Sequence, residues 1–161
     1  MDLEVDRRGK AFEAETAAAF TRAEWSTHPS IPMKRIGAPK ALGEIDVLAI
    51  SPDGNTWVLC ECKWFGAART PREVAGWMQD FHGRGGDKLD KHLSRLRWIQ
   101  AEVSSVAQRL GLTVPTTILP LIVTTRPVPL AFVQELPKGA DVRTIQQLRA
   151  ELSNWEAGRK H

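Results

Sequence analysis

The sequence predicts a mixed α/β domain built around a single sheet. Three observations lead there. β-Branched or apolar runs of strand length occupy Gly43–Ile50, Thr56–Lys63 and Thr116–Thr125. Stretches with helical periodicity lie at both ends and in the middle of the chain. The elements interleave as α, β, β, β, α, α, β, α, β, α, with no repeat, low-complexity tract or linker to divide them. At 161 residues, the size expectation is one domain over residues 1–161.

Asp6 to Glu24 is rich in Ala, Glu and Arg, holds no proline, and reads as a helix with Asp6 as its N-cap. Phe12, Thr16, Phe20 and Ala23 share one face, Glu13 lies on its edge, and Glu15 points away. Ser26 to Pro32 reads as a loop and Pro32 to Pro39 as a short edge strand. The turn Ser51-Pro52-Asp53-Gly54-Asn55 joins Gly43–Ile50 to Thr56–Lys63 as an antiparallel hairpin. Pro71 to Phe81 is a helix with Pro71 in its first turn. Asp87 to Leu110 is one long amphipathic helix, with an apolar stripe from Leu89 to Leu110 and Gly111 closing it. Thr116 to Thr125 is a buried strand. A loop and short helix around Val128 to Leu136, a short strand Asp141 to Arg143 and a helix Thr144 to Trp155 complete the order.

Hydrophobic residues at 42% and charged residues at 25% suit a globular chain and exclude a disordered one. A net charge of +3 does not by itself demand a nucleic-acid partner. No apolar run reaches membrane-spanning length, so no membrane partner is expected. The opening MDLEVDRRGKAFEAE is too acidic for a signal peptide, and the two cysteines then point to a reducing cytoplasm.

The chemistry concentrates in Val58-Leu59-Cys60-Glu61-Cys62-Lys63. On a strand, Glu61 and Lys63 face one side while Cys60 and Cys62 face the other. Two cysteines lack the four-ligand set of a structural zinc site and read as small core residues. Asp46 lies mid-strand in the preceding run, on the face that Glu61 reaches if the two strands pair. Two acids on neighbouring strands suit Mg²⁺ or Mn²⁺, with a lysine to orient water and offset charge growing on a phosphate. A structural ion-pair network is the plain alternative.

Asp46 followed by Glu61-Cys62-Lys63 resembles the PD-(D/E)XK, or restriction-endonuclease-like, nuclease superfamily. The resemblance extends to Gly9-Lys10-Ala11-Phe12-Glu13, which is similar to an element of Mrr-like nucleases, and to "GEIDVLA", "ECKW", "PREVAGW" and "IVTT…AFVQEL…VRTIQQL". It covers about Arg8 to Leu152. Ile45 stands where the motif's name has proline. The resemblance implies a central mixed sheet flanked by helices with an αβββαβ core. It implies Asp46 and Glu61 as metal ligands, the Cys62 main-chain carbonyl beside them, Lys63 as catalytic lysine, and Glu13 as a supporting acid and further ligand. The implied activity is Mg²⁺- or Mn²⁺-dependent hydrolysis of DNA phosphodiester bonds. A nucleic-acid-binding or scaffolding module that keeps the fold is the rival expectation.

Lys88, Lys91, His92 and Arg95 on the long helix, with Arg69 and Arg72, are the candidate DNA contacts, although such a charged face is often merely solvated. Trp64 stacks on a base or packs the rim. No sequence-reading domain stands out, so DNA shape, a homodimer or a partner protein is expected to supply specificity.

Overall fold

The computed structural model describes residues 3–67, 70–81, 85–128 and 141–159. Helix α1 (Leu3–Arg22) is followed by strands β1 (Ser26–Pro32), β2 (Glu44–Ile50) and β3 (Thr56–Lys63). Helices α2 (Pro71–Met78), α3 (Lys88–Ala101) and α4 (Val103–Leu110) lead to β4 (Thr117–Thr124), and β5 (Asp141–Thr144) runs into α5 (Ile145–Arg159). The five strands form one mixed sheet in the order β1-β2-β3-β4-β5. β1, β2 and β3 pair antiparallel, and β4 and β5 join in parallel.

Strand alternation divides the core in two. Leu48, Ile50, Trp57 and Leu59 face a cluster closed by Leu89, Leu93, Leu96 and Ile99 of α3 and Val106 of α4. Val47, Ala49, Val58 and Cys60 face the opposite cluster, covered by Phe12, Ala19 and Phe20 of α1 and Leu148 and Leu152 of α5. The sheet is therefore flanked by helices on both sides, as an α/β fold requires.

Four expectations need correction. The first strand is Ser26–Pro32, not Pro32–Pro39, and Met33–Ile36 forms a 3-10 turn. Pro29 and Pro32 suggested a loop, but β1 is an edge strand, where a missing N–H costs no ladder bond. α1 starts at Leu3, so Asp6 is an acid of its first turn rather than its cap. Pro71–Phe81 is α-helical only to Met78, and a 3-10 turn takes Gln79–Phe81. The long helix is broken at Glu102 (φ −115°, ψ 24°) into α3 and α4. The apolar stripe continues across the break because both helices pack on the same core. Gly111 does close α4, at φ 68°. Beyond Val128, the short helix expected near Leu136 lies outside the described residues.

Candidate functional site

The site forms where β2 and β3 part. Their ladder runs from Ile50↔Trp57 to Val47↔Cys60 and stops. β2 continues to Glu44 paired with β1, while β3 continues to Lys63 paired with β4. Asp46 sits at the fork, and its carboxylate takes the place of a ladder acceptor: the Cys62 N–H donates to it at 2.8 Å. The N–H and C=O of one strand residue point to the same side, so the Cys62 carbonyl also faces the gap.

Alternation puts Glu61 and Lys63 on the α3 face with Trp57 and Leu59, and Cys60 and Cys62 on the α1 face. Both cysteines are free thiols whose pKa burial pushes up. Trp64 packs against the second cluster, with the Arg8 guanidinium 5.0 Å from its ring.

Carboxylate oxygens of Glu13, Glu44 and Asp46 lie within 4.8 Å of one another, joining α1 to β2. Glu61, expected as the second ligand, is outside that trio. Its Oε2 instead accepts from Arg95 Nη1 at 3.0 Å. Lys10 Nζ donates to Glu13 at 3.2 Å and to Glu44 at 3.1 Å. The pKa of three acids is raised. For Asp46, burial leads, partly offset by the Cys62 N–H and the Arg95 charge. For Glu13, burial and then the Asp46 charge lift it against Lys10. Glu61 is pushed up to about 7 by burial and the Asp46 charge, although Arg95 and Lys88 pull it down.

Crowded carboxylates with raised pKa values mark a place short of positive charge. Hard carboxylate oxygens from α1 and β2 fit a small divalent cation such as Mg²⁺ or Mn²⁺. Asp46, Glu13 and Glu44 would hold it, and the Cys62 carbonyl faces the same gap.

The expected DNA contacts separate. Lys88, Lys91 and Arg72 are exposed, and Arg69 lies outside the described residues. His92 and Arg95 are interior, only 2% and 7% exposed, which removes them from any solvent-facing set. They lie on the side of α3 that its leucines bury against the sheet. Burial first, and then the Arg95 charge, drop the His92 pKa to about 4, against a hydrogen bond with the Leu59 backbone. Its Nε2 has no partner among the described residues.

Sequence reasoning missed Glu44, Lys10 and Ser30. Glu44 was signalled by its i, i+2 spacing from Asp46, which puts both on one face. Ser30, between Pro29↔Val47 and Ile31↔Ile45 in the β1–β2 register, holds a left-handed φ of 51° and brings its Oγ to 3.5 Å from Glu13. No sequence signal marks such a backbone.

A sequence model described as anti-phage protein Upx-like matches residues 3–143. No curated protein matches the chain. No helix among the described residues is long and apolar enough to cross a membrane.

Proposed function

Because the chain belongs to the Upx-like anti-phage family, we propose that it serves phage defence as a metal-dependent nuclease of restriction-endonuclease-like fold that hydrolyses DNA phosphodiester bonds. One observation carries this reading. At the fork, Asp46, with Glu13 and Glu44 beside it, lies against the strand that bears Glu61 and Lys63. A purely structural ion-pair network would balance its charges, whereas Glu13, Asp46 and Glu61 all hold raised pKa values, burial acting first and the Asp46 charge next on both glutamates.

A divalent cation there supplies Lewis acidity toward a phosphate oxygen and lowers the pKa of water. The chain's own residues do the rest. Asp46, fixed by the Cys62 N–H, sets where positive charge sits relative to β3. On this reading Lys63, at the end of β3 on the Glu61 face, orients the attacking water and offsets charge growing on the phosphate. Exposed Lys88 and Lys91 offer backbone phosphates a positive rim.

The test is digestion of plain, methylated, single-stranded and four-way-junction DNA with Mg²⁺ or Mn²⁺, beside Asp46→Asn and Lys63→Ala. We expect cleavage by the wild type and a loss of at least about 100-fold in either variant. Variants that cut as fast as wild type would sink the assignment.

The Arg95 bond to Glu61 favours a second reading, because it engages an expected ligand with an internal cation. On that reading the fold binds nucleic acid without turnover. Calorimetry separates the two. Mn²⁺ binding that Glu61→Gln weakens supports the nuclease, and DNA binding indifferent to metal supports the module.

A further inference from the structure

Arg95 is drawn into the interior by its neighbours. Leu89, Leu93 and Leu96 seat α3 on the sheet, and the Arg95 side chain between them is 8% exposed. Its Nη1 donates to Glu61 Oε2 at 3.0 Å and its Nε to the Leu42 carbonyl at 2.6 Å. The guanidinium also lies over Gly43, which holds φ 73°, and a Cβ there would sit 3.2 Å from Nη2. One planar group thus joins the β3 carboxylate to the turn that leads into β2. That turn comes just before Glu44 and Asp46.

Two cations bond carboxylates at the fork among the described residues. Lys10 takes Glu13 and Glu44 at the rim, and Arg95 takes Glu61 inside. Arginine stays charged across the whole working pH range, and its fork of donors can serve two acceptors at once. Only one oxygen of Glu61 is engaged this way.

We propose that Arg95 is a positioning residue: an internal cation that holds Glu61 and the Leu42–Gly43 turn in place before a divalent cation reaches the carboxylates. The proposal rests on the cation reading of the fork. Without Arg95, the buried Glu61 loses its bonded cation beside Asp46, and an added cation relieves what Arg95 relieved before.

The experiment is thermal unfolding of the full chain, in EDTA and in Mn²⁺, for wild type, Arg95→Met, Arg95→Lys, Asp46→Asn, and Glu61→Gln with and without Arg95→Met. In EDTA, Arg95→Met melts below wild type, and adding Glu61→Gln restores part of the loss. Mn²⁺ raises the Arg95→Met midpoint more than that of wild type, with Arg95→Lys between them. An Arg95→Met shift no larger than wild type's, or a double variant no more stable than Arg95→Met, overturns the proposal. Should Arg95→Met fail to fold, Arg95→Lys carries the same comparison, alone and with Glu61→Gln. A wild-type midpoint that ignores Mn²⁺ as Asp46→Asn does overturns the cation reading instead. The EDTA comparison then decides the role of Arg95 alone.

Discussion

Two cations attend the same group of carboxylates, and they do so from opposite sides of the solvent boundary. Lys10 bridges Glu13 and Glu44 with its side chain 61% exposed, whereas Arg95 holds Glu61 with both side chains at or below 10%. The distances are alike, near 3 Å in all three pairs. Distance therefore does not set what each pair is worth; water does. An exposed pair trades one good partner for another and contributes about 0–1 kcal/mol. A buried pair that loses one member leaves a charge with neither water nor partner, at about 3–5 kcal/mol. The rim cation is exchangeable, and the interior one is part of the architecture.

The sharpest way to break that contrast is Arg95→Met. We expect urea unfolding in EDTA above pH 7, where Glu61 is ionised, to show a loss of about 3–5 kcal/mol. A loss below about 1 kcal/mol would put Arg95 in the same class as Lys10. Part of the difference between the two variants comes from the Leu42 carbonyl, which loses its donor only when Arg95 goes.

Acidity sharpens the same comparison. Glu61 has its pKa raised from 4.5 to about 7, so the folded chain holds a proton there that the unfolded chain releases earlier. Its contribution to stability is complete below pH 4.5 and is lost as pH rises through about 7. The stability difference between wild type and Glu61→Gln in EDTA should fall over that window, by roughly 3 kcal/mol at most. His92 works in the opposite sense. Its pKa drops from 6.5 to about 4, so its contribution is present above pH 6.5 and lost as pH falls through about 4. Subtracting the Glu61→Gln curve from that of wild type removes the His92 part, and a flat difference would contradict the raised Glu61 pKa.

These behaviours were unevenly legible in the sequence. Glu61 and Lys63 separate from Cys60 and Cys62 by strand alternation alone, a local rule that needs only β3 to be a strand. The α/β class followed from element order in the same way. Periodicity reports which face is apolar but not where the axis turns, so the break at Glu102 left no trace in the stripe. Prolines argued against a strand at Ser26–Pro32 until the sheet order made it an edge. Arg95 was the hardest to read. A basic residue on an amphipathic helix is usually solvated, and its burial depends on a carboxylate 34 positions away. Only the docking of α3 on the sheet brings the two together.

Lys10→Ala is the smallest and most discriminating change. In EDTA it should cost about 1 kcal/mol, because water replaces the ammonium at Glu44 and only in part at the more buried Glu13. Burial pulls the Lys10 pKa down, but the bonds to Glu44 and Glu13 together raise it, so the residue is charged at neutral pH and competes with any cation for those oxygens. Removing it should therefore tighten Mn²⁺ binding by calorimetry, by at most about fivefold, the factor that corresponds to 1 kcal/mol. The gain should shrink in 1 M salt, where screening reaches about 3 Å, while the Arg95→Met loss should persist there because its charges are shielded from ions by the core. Equal salt sensitivity in the two variants would mean that both cations act from the solvent side, and the division between rim and interior would fall.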